Sequence, residues 1–214
     1  MDAMDGDDAE RYRVEAIAAF SHEIRTPITS LKMLVELGRR HGAEGEALFD
    51  RELTELLVLT VDELTRLVDD MQQASRLMRG MLALERAPQR LSAVLDNARD
   101  ELPAGIEFEP GEFEDVSGMW DGPRLAAALA QFAVAVDRLG DGLGNVRTRI
   151  ETTGTDVMIE FTSGGPPGSG QFFTADAGYG FFRARQLVIA AGGSVECRRS
   201  EGFSLVRLML PLTQ

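Results

Sequence analysis

Phe20-Ser21-His22-Glu23-Ile24-Arg25-Thr26-Pro27 decides how this chain is read, because it lies inside a long periodic run rather than in a loop. Around it Ile17, Ser21, Ile24, Ile28, Leu31, Val35 and Gly38 recur at alternating steps of four and three. Further on, Leu57, Thr60, Leu64, Leu67, Met71, Ala74, Met78 and Met81 repeat the pattern. A period of about 3.5 residues belongs to helices that pack as a supercoiled bundle. Between the two runs, His41-Gly42-Ala43-Glu44-Gly45-Glu46 is polar and rich in glycine, which predicts the turn of an antiparallel helical hairpin. One hairpin leaves much of its apolar seam wet. Pairing two copies into a four-helix bundle buries it, and the length of the repeats favours this homodimer over packing on the rest of the same chain.

Within the first run His22 falls beside the seam and faces solvent, while Ile24 and Ile28 face inward. Thr26 is one turn further along the same face, and Glu23 is the next residue. A proline in mid-helix removes a backbone donor at a cost of roughly 3 kcal/mol. Pro27, one turn from an exposed histidine, therefore points to a local distortion kept for function. A neutral imidazole is a good nucleophile near neutral pH. A carboxylate that accepts a hydrogen bond from one ring nitrogen orients the ring and raises the basicity of the other. An isolated His-Glu pair would be an ordinary surface feature; the whole string says more.

Pro88 marks the expected domain boundary, dividing the 214 residues into a hairpin over 1–87 and a second domain over 88–214. In the second domain Leu91 to Leu102 reads as a helix, and Ile106 to Phe113 and Val116 to Trp120 as short strands. Asp121 caps a helix to about Leu139, with Pro123 in its first turn. Asn145 to Thr152 and Asp156 to Thr162 alternate as strands across a Thr-Gly turn. The loop from Ser163 to Gly170 is rich in glycine and proline. A helix from Phe181 to Ala191 ends at Gly192-Gly193, which can supply a left-handed cap. Strands from Ser194 to Arg199 and Phe203 to Leu212 complete an α/β sandwich. The fold class is α+β: a dimeric helical hairpin followed by that sandwich.

The bulk properties exclude several classes. A net charge of -13 repels a nucleic-acid backbone. The lone Cys197 rules out an internal disulfide and any multi-cysteine zinc site, and it suits a reducing cytoplasm. No metal ligand set is expected. The longest apolar stretch, Leu125 to Val136, is interrupted by Gln131 and falls short of the about 20 residues needed to cross a bilayer. The acidic start, Met-Asp-Ala-Met-Asp, lacks the order of a signal peptide. A cytoplasmic chain without a membrane segment is the expectation.

Residues 20–27 closely resemble the H-box of the sensor histidine kinases, matching at Phe20, Ser21, His22, Glu23, Arg25, Thr26 and Pro27. The resemblance implies that His22 is a phosphoacceptor and Glu23 its acid/base partner. Thr26 would position water for dephosphorylation, and Arg25 and Pro27 would complete the box. It implies response-regulator receiver domains as partners, docking near the histidine on a surface that includes Ile28, Lys32 and residues of the second helix. His41, in the expected turn, is a solvated loop residue.

Residues 88–214 resemble the ATPase domain of the same family in outline, and the matching positions depart from it. Asp121-Gly122-Pro123-Arg124-Leu125 fits the start of the family's first long helix. Its two asparagines then fall on Gln131 and Ala135, and alanine has no oxygen for magnesium. The Asp-Asn-Gly-Pro-Gly box becomes Ser163-Gly164-Gly165-Pro166-Pro167, where serine cannot supply a charged acceptor for adenine. The glycine box becomes Asp176-Ala177-Gly178-Tyr179-Gly180, with a negative charge where phosphates would rest and Phe181 and Phe182 following. Ser169 to Asp176 is too short for the usual lid. Gln131, Gly165, Gly178 and Gly180 are remnants of a cofactor site. No cofactor is expected, ATP and magnesium serving only if the divergent site still works. The expectation is a histidine phosphotransferase that passes phosphate between receiver domains. An active kinase with a divergent ATP site and a silent scaffold that binds a regulator or kinase are the alternatives.

Overall fold

The computed structural model describes residues 6–41, 49–79, 81–140, 142–164, 177–200 and 202–212. Two helices open the chain: α1 over Gly6–His41 and α2 over Arg51–Met78. Asp50 caps α2, its Oδ1 accepting from the Leu53 amide at 2.8 Å, and Glu52 adds negative charge at the helix's positive end. His41 belongs to the last turn of α1 rather than to a loop, and the expected turn at 42–46 lies outside the described residues. The Phe49 ring lies over Gly38 of α1, where a Cβ would sit 2.5 Å from it.

The expected seam of α1 is covered only in part within the single chain, at Ile24, Leu31 and Gly38. Ala19, Pro27 and Gly38 are buried and Phe20, Glu23, Leu31 and Leu34 half-buried, whereas Ile17, Ile28 and Val35 are 63%, 49% and 40% exposed. Ile28 therefore faces outward in the single chain, because the intrachain face takes the neighbouring helical stripe. On α2 the expected heptad is followed in part: Leu67 and Ala74 are buried and Leu57, Thr60 and Leu64 half-buried, whereas Met71 and Met81 are exposed.

The chain divides into compact units at Gln72/Gln73, ahead of the boundary expected at 87/88. The reason is Leu77, near the end of α2, which belongs to the second unit's core. Pro88 ends no helix. It sits in β1 (Ala87–Arg90), opposite Met119 of β3 (Ser117–Trp120) in a two-stranded antiparallel ribbon. A proline is tolerated there because such a ribbon leaves outward donors unpaired.

The second unit continues with α3 (Leu91–Asp100), β2 (Glu107–Pro110), α4 (Gly122–Leu139), β4 (Asn145–Thr153), β5 (Asp156–Gly164), α5 (Tyr179–Ala190), β6 (Ser194–Ser200) and β7 (Phe203–Pro211). Five strands form one sheet in the order β2-β4-β5-β7-β6, with β2 parallel to β4 and the other pairs antiparallel. The turn between β4 and β5 requires Gly154, whose φ is +63°. Gly192, at φ +89°, closes α5, and its amide donates to the Ile189 carbonyl.

α4 holds the sandwich together. Asp121 caps it, and Leu125, Leu129, Phe132 and Val136 recur on one face and are buried. It packs against α3, α5 and strands β4, β5 and β7. Trp120, Phe132, Phe161 and Phe182 are the largest fully buried side chains, and Phe108 meets Phe161 edge-on at 5.4 Å. α3 is capped from a distance: Asp115 accepts from both the amide and the hydroxyl of Ser92, at 3.0 and 2.9 Å. No helix among the described residues is long and apolar enough to cross a membrane.

Candidate functional site

α1 runs unbroken through Pro27 and carries the whole H-box-like string. His22 is exposed, Glu23 half-buried, Arg25 and Thr26 exposed and Pro27 buried. Thr26 stands one turn after His22 on the same face. Proline has no amide proton, so the carbonyl of Glu23 loses its helical donor immediately after the histidine. One turn on, the Thr29 hydroxyl donates to the Arg25 carbonyl at 2.8 Å, a bond that satisfies this carbonyl a second time.

The face of His22 continues through Thr26 and Thr29 to Met33 and Leu37, which are 63% and 37% exposed. Sequence reasoning missed Thr29, Met33 and Leu37, although spacings of seven, eleven and fifteen from His22 were available to find them. Ile28 and Lys32 are exposed as well, but they lie about 120° and 80° around the helix from His22. They flank the histidine's strip rather than extend it.

In the sandwich, the residues expected at a cofactor site are brought partly together. Gln131, half-buried on α4, lies against Gly180 at the start of α5: a Cβ on that glycine would meet the Gln131 Oε1 at 2.1 Å. One turn along α4, Ala135 is buried. Ser163 is buried at the end of β5, where Gly140 approaches so closely that a Cβ on it would fall 2.3 Å from the Gly164 carbonyl oxygen. Gly178, at φ +90°, precedes α5, which begins at Tyr179 rather than at Phe181. Phe181 meets Phe132 edge-on at 5.6 Å, and Tyr179 lies against Phe182 at 5.7 Å. The two phenylalanines after the glycine box are thus core residues. Gly165, Pro166, Pro167, Ser169 and Asp176 lie outside the described residues.

Cys197, half-buried on β6, is no candidate nucleophile: burial pushes its thiol up to about 12. Among the described residues no group of three or more His, Cys, Asp or Glu side chains could hold a metal ion.

Residues 12–80 match the His Kinase A (phospho-acceptor) domain family. The chain is 28% identical over 220 residues to the probable sensor histidine kinase TcrY of Mycobacterium tuberculosis, an alignment covering 92% of this chain and 45% of TcrY. It thus spans under half the length of that relative. Among solved structures, the Acinetobacter baumannii histidine kinase AdeS superposes with a TM-score of 0.67 at 20% identity, covering 90% of this chain and 98% of AdeS. Full-length ShkA in complex with AMPPNP superposes at 0.60 with 24% identity, over 91% of this chain and 45% of ShkA. Histidine kinase ThkA in complex with response regulator TrrA superposes at 0.60 with 19% identity, over 90% of this chain and 60% of that one. These structural likenesses concern the fold.

Proposed function

We propose, from the premise that this chain carries a His Kinase A (phospho-acceptor) domain and is a relative of the sensor histidine kinases, that it is a phosphorelay protein loaded at His22 by receiver domains rather than by ATP. The observation that carries this reading is the complete H-box string on one unbroken helix, with His22 exposed and Thr26 on its face. A lone pair on an imidazole nitrogen attacks the phosphorus of a receiver's aspartyl phosphate, the bond from phosphorus to the carboxylate oxygen breaks, and the carboxylate leaves. Glu23 takes the strain of charge on the ring by holding the proton of the other nitrogen. The reverse step hands the phosphoryl group to a second receiver. Thr26 positions water when the phosphate is discharged instead.

A receiver partner is supported by ThkA, solved with response regulator TrrA. The strip from His22 through Thr26 and Thr29 to Met33 is where it would dock. Homodimerisation is supported by Ile17, Ile28 and Val35, an exposed apolar stripe beside the intrachain face of α1.

The residues at the ATPase-like site do not fit a magnesium nucleotide. Ala135 has no oxygen where the metal would need one, Ser163 is neutral where the adenine amino group would need a carboxylate, and Gln131 lies over Gly180. Phosphoryl transfer from ATP depends on positioning and charge neutralisation, and both supports are gone. A working kinase is the second reading, favoured by the intact Asp121-Gly122-Pro123-Arg124-Leu125 start and by ShkA, which was solved with AMPPNP. Calorimetry with magnesium and ATP separates them. The phosphotransferase reading expects no saturable heat; micromolar binding would favour the kinase.

A further inference from the structure

Between α2 and β1 the chain crosses residues 81–86 without regular structure. Leu82 and Leu84 are half-buried against the core while Met81, Ala83 and Glu85 are exposed. That is the alternation of a strand, yet the segment joins neither sheet. Side chains hold it instead. The Glu85 amide donates to the Asp121 Oδ2 at 3.0 Å, and the Arg124 Nη1 donates to the Ala83 carbonyl at 3.3 Å. Further along, the Arg86 Nη2 donates to the carbonyl of Ala190, the last residue of α5, at 3.0 Å. Backbone fixed by side chains rather than by a ladder opens more readily than the elements around it.

Two features separate that opening from unfolding. Asp121 is buried, and besides the Glu85 amide it accepts from the Arg124 amide and guanidinium. Those two bonds stay at the start of α4, so the helix keeps its cap when Ala83 and Glu85 leave. Beneath Leu77 and Leu82 is a half-open hollow of about 70 Å³ over Ala127, Ala128, Ala184 and Leu187. It deprives both leucines of packing contacts on one side and so weakens their hold.

We propose that residues 81–86 form a releasable strap, with Asp121 and Arg124 as its clasp. Docked, it joins the end of α2, residues 73–78, to α4 and α5. Released, it leaves that end free and α4 intact. The Asp121-Gly122-Pro123-Arg124-Leu125 stretch thereby has a use that needs no nucleotide.

Native-state amide exchange on the whole chain, followed by NMR at Glu85 and along α4, tests the strap. In wild type the Glu85 amide should be protected, yet exchange at least tenfold faster than the buried amides of α4. Arg124→Gln should speed Glu85 at least tenfold further and leave α4 unchanged. Ala127→Val, which fills part of the hollow, should slow Glu85. Arg86→Gln, on the exposed side, should speed Glu85 at least threefold, and it decides the matter if Arg124→Gln proves unstable. Glu85 exchanging at the rate of an open chain, or in step with α4, would overturn the proposal. So would wild-type exchange in both arginine variants.

Discussion

The face of α1 around His22 and the cleft between α4, β5 and α5 preserve different things. On α1 every side chain of the H-box string is present and His22 and Thr26 are exposed together. In the sandwich the backbone framework stands, with a capped α4 and five paired strands, and the proposed loss of ATP use rests on Ala135 and Ser163 alone. The contrast teaches that a fold and a site are encoded by different residues. The sandwich is held by Trp120, Phe132, Phe161 and Phe182, none of which touches the chemistry of a phosphate. The phosphoacceptor needs a few exposed polar groups and a helix to space them.

Mutations should therefore separate stability from chemistry in opposite directions. The largest expected effect is in the sandwich. Phe132→Ala removes a fully buried ring that meets Phe181 edge-on, and it should cost about 3–5 kcal/mol in urea unfolding. Below the new midpoint, phosphate uptake on His22 should continue. A parallel loss of uptake would break the comparison.

The converse experiment is Glu23→Gln. It should slow transfer from a phosphorylated receiver by roughly a hundredfold, the scale of a lost acid/base partner, and leave the urea midpoint nearly unchanged. Transfer at the wild-type rate would reduce Glu23 to a bystander and sharpen the question of what tunes the ring.

A smaller effect concerns pH. The Ser92 amide, helped by the Ser92 hydroxyl and by Arg90 and opposed by burial, holds the Asp115 carboxyl below its ordinary 3.8. Because the native value is the lower one, the unfolded chain takes up the proton first. The contribution of Asp115 is thus complete above the ordinary value and is lost as pH falls through the native one. Asp115→Asn should be less stable than wild type at neutral pH, with the gap narrowing in that acid window. A gap that stays constant with pH would mean that the carboxylate caps α3 through shape alone.

Much of this was legible in the sequence wherever the cause is local. Asp121, Gly122 and Pro123 announce the start of α4 because the capping bond spans three residues. Gly192-Gly193 marks the end of α5 for the same reason, and the alternation of β4, β5 and β7 follows from a sheet with helices on one face. What escaped was set by distant partners. β1 was hidden because Pro88 reads as a breaker, and its pairing partner Met119 is remote in sequence. The heptads continue to Met81, yet α2 stops at Met78. Burial on α1 was only partly legible because two apolar stripes lie side by side, and a repeat alone cannot tell which is covered within one chain. His22 and Thr26 were found because helical spacing determines their shared face.

The central claim is that phosphate reaches His22 from a receiver and not from ATP. The direct measurement offers the chain two labelled donors in parallel, a phosphorylated receiver domain and magnesium-ATP labelled at the γ-phosphate, each with wild type and His22→Ala. Acid-labile label should appear only from the receiver and only on the wild type. Label from ATP that disappears in His22→Ala would contradict the account.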